Sequence, residues 1–330
     1  MSDLKGKNIL FIGPKTFGYE KEITKCLTRM GAYVDYYDDR PFDSTIKKVM
    51  LRVCPLLVRQ EVNQYFSGIL NSANSKQYDY VFCIKLECFP LHLLKELKNK
   101  QSNATFLFYA WDSFKNNPNA IECLSLFDRT FTFDDKDGCN YGLAHRPLFY
   151  LDIYKEISCL NNEYDVVFIG SVHMHRYQFI KAFMKHMSSD VNAYIYMYVP
   201  SKLLYWARKF LLFPVYGGSK ESDFKFEPLS QADIVDVLAR SNVVLDFALP
   251  SQDGLTMRSI EAFGANKKLI TNNETILKYD FFDKGNILVV DELITDIPDT
   301  FLKTPYIQSS KDVYERYSIN GWVKEIFELG

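Results

Sequence analysis

Short apolar runs bounded by Gly, Asp or Asn alternate along this chain with stretches whose apolar positions recur every three or four residues. The runs predict strands buried on both faces, and the periodic stretches predict amphipathic helices. Asn8 to Ile12 is the first such run, GPKTFGYEKEITKCLTRMG reads as a loop and helix, and Tyr33 to Tyr37 is a second strand. Helical periodicity covers roughly 44 to 73 and again 90 to 99, with strands at 80 to 84, 105 to 111 and 129 to 133. The pattern loosens between Leu148 and Tyr164, and YDVVFIGS then restarts it. A strand at 193 to 198, a helix at 230 to 240, strands at 243 to 247 and 268 to 271, and a last helix near 311 to 328 follow. Strand and helix alternating twice over predict two parallel sheets in tandem. The expected domains are 1–155, 156–310, and a terminal helix within 311–330.

Composition narrows the class. A chain of 330 residues can bury two cores, and 47% hydrophobic with 24% charged residues reads as globular. The formal net charge of −2 gives no footprint for a polyanion, so nucleic acid is not expected as the main partner. The seven cysteines include no Cys-x-x-Cys spacing, and they read as reduced, mostly buried thiols of a cytosolic protein. No stretch approaches the roughly 20 apolar residues of a membrane span, and the apolar run before Gly13 is too short for a signal peptide.

The densest chemistry lies in residues 250 to 272, PSQDGLTMRSIEAFGANKKLITN. A Gly-containing turn here opens an amphipathic helix that runs into a short strand. The first amides of a helix lack intrahelical partners and carry the positive end of its dipole, so those of Gly254, Leu255 and Thr256 are candidates to receive phosphate oxygens. Helical spacing is expected to bring Asp253 and Glu261 to one face, where two carboxylates suit sugar hydroxyls. An ordinary capped helix explains the same residues, with Ser251 or Asp253 as N-cap and Leu255, Met257, Ile260 and Phe263 turned inward.

A second constellation follows the strand at 105 to 111. Asp112 lies just past its carboxyl end, where side chains of a parallel sheet reach the ligand crevice, and it is a candidate general base. Capping of the next helix by Asp112 and Ser113 is the competing explanation. Lys85, ending the strand at 80 to 84, is a candidate for anion contact. GPKTFG lacks dinucleotide-fingerprint spacing, and Pro14 stands where an amide would be wanted. DDKDG, 134 to 138, lacks the ladder of a calcium loop and reads as a solvated helix start. His173 and His175 have no third ligand at ordinary spacing, so no metal site is expected.

Asp253-Gly254, Glu261-Ala262, Gly264-Ala265 and Leu269-Ile270 together resemble the donor motif of GT-B glycosyltransferases. Asp253 stands where that family's retaining branch has Glu, Asn266 where it has Gly, and Lys268 where it has Pro. TFGYEKEI, FYAWDS, FDRTFTFDDKD, VVFIGS and QDGLTMRSIEAFGANKKLITNN are similar to segments of bacterial surface-polysaccharide (O-antigen and capsule) glycosyltransferases and of CgeB-like proteins. The resemblance implies an α/β GT-B fold, two Rossmann-like domains facing each other across a cleft, with the C-terminal helix crossing back to the first. It implies a nucleotide-sugar co-substrate, UDP-linked, with no catalytic metal and no other cofactor. Glu261 would then hold the ribose, Gly170 and Ser171 would line the donor, and Arg176, or failing it Arg258, would neutralise the leaving diphosphate. Gly13 and Tyr19 would line the acceptor, a glycan or lipid-linked glycan. Domain closure would exclude water.

SKLLYWARKFLLFPVYGG, 201 to 218, carries apolar residues among Lys202, Arg208 and Lys209. It is expected to meet the inner face of the cytoplasmic membrane over 201–216, with a buried core helix as the alternative. Two rival functions use the same cradle. One is a sugar-nucleotide epimerase of this fold, and the other is a non-catalytic glycan or nucleotide module.

Overall fold

The structure is a computed structural model that describes residues 3–42, 47, 54–157, 163–172, 174–216, 218–248, 253–291 and 297–329. The first part of the helical stretch expected from 44, residues 44–46 and 48–53, together with Cys159, His173 and the first residues of the 250 to 272 motif, lies outside them. The chain divides into two compact units, Met1–Pro147 with Ile319–Gly330, and Leu148–Ser318.

The first unit is a six-stranded parallel sheet in the order β2-β1-β3-β4-β5-β6. Its strands are β1 Asn8–Gly13, β2 Tyr33–Asp38, β3 Tyr80–Ile84, β4 Thr105–Ala110, β5 Arg129–Thr132 and β6 Ala144–His145. Helices α1 Tyr19–Arg29, α2 Arg59–Ala73, α3 Leu91–Lys100 and α4 Asp135–Tyr141 intervene. The runs LFI, VFCI and FLFYA are buried throughout because helices cover both sheet faces. The helix Ile319–Ile326 closes one face: Trp322 is fully buried, its ring 4.9 Å from that of Tyr109. Arg146, also fully buried, pairs through Nε with Glu325 at 2.9 Å.

The second unit is a five-stranded parallel sheet in the order β11-β10-β9-β7-β8. It comprises β7 Tyr164–Ser171, α5 Met174–His186, β8 Ala193–Tyr198, α6 Lys202–Leu211, α7 Gln231–Ala239, β9 Ser241–Asp246, α8 Met257–Gly264, β10 Lys268–Thr271 and β11 Ile287–Val289. The helix expected at 230 to 240 is α7. Ser230 caps α7 by accepting from Asp233 N while Asp233 accepts back from Ser230 N, a capping box.

Two local expectations change, those for the terminal helix and for DDKDG. The terminal helix is two, α9 Lys311–Arg316 and α10 Ile319–Ile326, because Tyr317 and Ser318 leave the helix to meet Tyr150: Tyr150 N donates to Tyr317 O at 2.9 Å, and Ser318 bridges to Tyr150. DDKDG does open a helix, but Asp134 and Asp137 are buried rather than solvated. Asp134 accepts from Asp137 N, and Asp137 accepts from Phe114 N. Among the described residues of 201 to 216, Tyr205 and Tyr216 are fully enclosed and Leu204, Leu212 and Val215 pack partly buried against the core, while Leu203, Trp206, Phe210, Leu211 and Phe213 are exposed. Among the six described cysteines, Cys54 and Cys139 are exposed.

Candidate functional site

In the second unit the chain leaves β7 for β8 on one side and later returns to β9 on the other, so β7 and β9 flank a topological switch point. Open parallel sheets bind ligands outside the carboxyl ends of their strands at such a point. Arg176, on the first turn of α5, spans it. Nη1 donates to Ser171 O at 2.7 Å, where β7 ends, and Nη2 donates to Phe247 O at 2.8 Å, just past β9. Its Nε has no hydrogen-bond partner among the described residues. Gly170 lies beneath it, where a Cβ would stand tight against the Phe168 ring at 3.1 Å and in ordinary contact with Arg176 Nη1 at 3.7 Å. Burial pulls the guanidinium pKa down; the negative charge of Asp246 opposes this and the positive charge of Arg258 adds to it. An arginine stays protonated through such shifts. Arg176, Arg258 and Asp246 thus feel one another at the sheet edge.

The motif helix starts later than its sequence implies. Its N-cap is Thr256, whose hydroxyl accepts from Ser259 N at 3.2 Å and donates to Asp246 Oδ2 at 2.5 Å. The Ser259 hydroxyl reaches the same oxygen at 2.6 Å, so one buried strand carboxylate fixes the helix start. Ser251 lies outside the described residues, and Asp253 is four residues upstream of the first helical residue. The helical spacing that would align Asp253 with Glu261 therefore does not exist. The first-turn amides belong to Met257, Arg258 and Ser259, not to Gly254, Leu255 and Thr256. Gly254 and Leu255 are buried in the preceding turn, where Asn273 Nδ2 donates to Gly254 O at 3.3 Å and Thr275 Oγ1 to Asp253 O at 2.7 Å.

Glu261 is buried. One oxygen accepts from the Tyr154 hydroxyl at 2.9 Å, and the other pairs with Arg258 at 2.9 Å. Burial first, then the Glu261 charge, pushes the Tyr154 phenol far up, so it stays a donor. Two of the three departures from the family pattern have a local reason. Asn266 stands at φ 53°, the left-handed region that Asn tolerates best after Gly. Lys268 is buried, with its ammonium on Phe301 O at 2.8 Å and on Thr304 Oγ1. Gly264 admits no side chain, for a Cβ would meet the Tyr150 ring at 2.3 Å.

The first unit has a cleft of about 910 Å³ at the carboxyl ends of β3 and β4. Lys85 and Asp112 both line it, and Lys85 Nζ lies 3.3 Å from Asp112 Oδ2 and 3.2 Å from Glu87 Oε2. Asp112 also accepts from Asn116 Nδ2 at 2.9 Å. Lys85 and Leu86 take φ 72° and 53°, a conformation that non-glycine residues hold at about 1–3 kcal/mol each. Asn117 Nδ2 on Lys85 O, Lys85 N on Tyr109 O and Glu87 N on Asp39 Oδ2 pin the turn. Asp39 is fully buried, and burial pushes its carboxyl up to about 7. Gly13 and Tyr19 do not line this cleft. Gly13 O instead accepts from the Tyr36 hydroxyl, and Tyr19 is buried with its ring 5.5 Å from Trp111. Glu87, Asp39, Asp246 and Tyr154, which hold or pin the candidate residues, were not singled out by sequence reasoning. The signal that singled out Asp112, a carboxylate at the carboxyl end of a parallel strand, applies equally to Asp39 and Asp246.

Two Rossmann-like parallel-sheet domains in tandem, with the last helix belonging to the first, make this a GT-B fold. Anabaena HepE in complex with UDP and glucose is similar over 98% of each chain, with TM-score 0.59 at 11% identity. Sucrose-phosphate synthase from Thermosynechococcus elongatus is similar over 87% of this chain and 86% of its own, with TM-score 0.55 at 12% identity. The UDP-GlcNAc 2-epimerase of Methanocaldococcus jannaschii, in complex with UDP-GlcNAc and UDP, is similar over 98% of this chain and all of its own, with TM-score 0.55 at 11% identity. No protein family and no curated protein matches the chain by sequence.

Proposed function

We propose that the protein is a glycosyltransferase that takes its sugar from a UDP-linked donor bound to the second unit. The observation that carries this is the Arg176 guanidinium joining the ends of β7 and β9 at the switch point, beside Arg258 and the start of α8. Two guanidiniums and first-turn amides offer charge-assisted donors to a diphosphate. Arginine, rather than a metal ion, neutralises the leaving group. Glu261, oriented by Tyr154 and Arg258, is the carboxylate that meets the ribose hydroxyls in this reading. The polar cleft of the first unit takes the acceptor, a glycan or lipid-linked glycan of a bacterial surface polysaccharide such as an O-antigen, at the inner face of the cytoplasmic membrane. Asp112 accepts the acceptor proton there, and Lys85 steadies its charge.

An epimerase acting on the nucleotide sugar is the second reading, favoured by the full-length likeness to the UDP-GlcNAc 2-epimerase. Incubation with UDP-sugars alone and with mixed glycan acceptors separates the two. Transfer gives UDP plus an enlarged glycan only when an acceptor is present, whereas an isomerised UDP-sugar formed without acceptor would replace this reading by the second.

A further inference from the structure

Helix α6 and the turn after it carry an apolar stripe that the fold leaves uncovered. Leu203, Trp206, Phe210 and Phe213 recur at helical spacing, and Phe210 and Leu203 are 85% and 81% exposed. The same helix buries its opposite side through Tyr205, fully enclosed among Trp206, Phe224 and Phe226. The outward residues are therefore surplus to this unit's core. Five large apolar side chains within eleven positions, 203 to 213, exceed the scattered single exposures of ordinary surfaces.

Charge identifies what covers them. Residues 191 to 220 contain no Asp or Glu, while Lys202, Arg208, Lys209 and Lys220 are all cationic. Lys202 and Lys209 flank the stripe on one side in the helical projection. The Lys209 ammonium lies 5.4 Å from the centre of the Trp206 ring and is tethered to Ser219 O at 2.6 Å, so it stays at the border of the stripe. The nearest acid along the chain is Glu221, which is half-buried, pairs with Lys202 at 2.7 Å and also meets the Trp206 side chain. An apolar stripe of Leu, Trp and Phe bordered by lysines, on a helix too short to span a bilayer, matches a helix lying in the headgroup plane of an anionic membrane. We infer that α6 docks the protein on an anionic lipid bilayer, with Leu203, Trp206, Phe210 and Phe213 inserted and Lys202 and Lys209 at the phosphate level. This deepens the membrane setting of the proposed function but does not depend on its chemistry: vesicle binding without sugar transfer would keep this inference and discard that one.

The test is flotation of the whole protein with vesicles of phosphatidylcholine alone and of phosphatidylcholine with phosphatidylglycerol. The protein should partition onto the anionic vesicles only, less so at high salt. Tryptophan emission should shift to the blue on binding, and Trp206→Phe should bind yet lose that shift. Phe210→Ser and Leu203→Ser should each weaken partition about tenfold while melting as wild type, since both side chains lie outside the core. The inference is overturned by wild type that stays unbound, or by Phe210→Ser binding as well as wild type. A dimer in lipid-free buffer that Phe210→Ser dissociates overturns it too, for the stripe would then belong to a second copy.

Discussion

The Tyr154 hydroxyl donates to Glu261 Oε1 at 2.9 Å, while Arg258 holds Oε2 at the same distance. The acid assigned to ribose is thus oriented before any ligand arrives. Both oxygens carry a partner, and the group is buried, so its replacement touches stability as well as binding. Glu261→Gln keeps the shape and loses the charge, which should weaken UDP binding about tenfold or more, the value of a hydrogen bond to a charged group. Glu261→Ala strands Arg258 and should in addition cost about 3 kcal/mol of stability. Calorimetric titration alongside denaturant unfolding separates the two effects. UDP affinity unchanged in Glu261→Gln would remove Glu261 from the donor site.

Asp112 and Lys85 form the acid–cation pair of the first-unit cleft. If Asp112 is the base, Asp112→Asn should cut turnover about a hundredfold or more with donor affinity little changed. Single-turnover kinetics with saturating donor would read this, and wild-type turnover would leave Asp112 as a cap for the residues that follow.

Asp39 gives a pH signature. Its folded carboxyl titrates near 7, above the roughly 4 of an unfolded chain, so between these values the folded state binds more proton than the unfolded. Its stabilising contribution is complete below about pH 4 and is lost as pH rises toward 7, each pH unit between being worth at most about 1.4 kcal/mol. Asp39→Asn should abolish that slope. Unfolding free energies at pH 5 and pH 8 would measure it, and an unaltered slope in the variant would assign the effect elsewhere.

Gly264 faces the Tyr150 ring with no room for a methyl group. Gly264→Ala should destabilise the second unit by about 3 kcal/mol through overpacking. The pair Gly264→Ala with Tyr150→Ala should be less unstable than the two single losses summed, because the obstruction is then gone. Additive losses would mean that the ring is not what Gly264 accommodates.

Much of the architecture was written in local pattern. The runs forming β1, β3, β7 and β10 could be read because strands covered on both faces are continuously apolar, and Lys268 to Thr271 was read to its ends. The helix expected from 230 begins where Ser230 and Asp233 form their capping box. What escaped the reading was set by distant partners. Asp246, ten positions upstream, draws Thr256 and Ser259 together and so decides where α8 begins. The left-handed turn at Lys85 and Leu86 has neither Gly nor Asn to mark it, because Asn117, Tyr109 and Asp39 impose it from elsewhere. Tyr150 interrupts the terminal helix from some 160 residues away. The exposure of Phe210 and Leu203 was likewise undecided by periodicity, which gives a face but not what lies against it.

The central claim is that the carboxyl edge of the second sheet, around Arg176, grips a nucleoside diphosphate. The most direct measurement is calorimetric titration of UDP into the whole protein, beside a thermal-shift panel of other nucleoside diphosphates. The account predicts saturable one-to-one binding, with UDP at a hundredfold its dissociation constant adding about 2.7 kcal/mol of stability. No heat and no shift with any nucleoside diphosphate would contradict it.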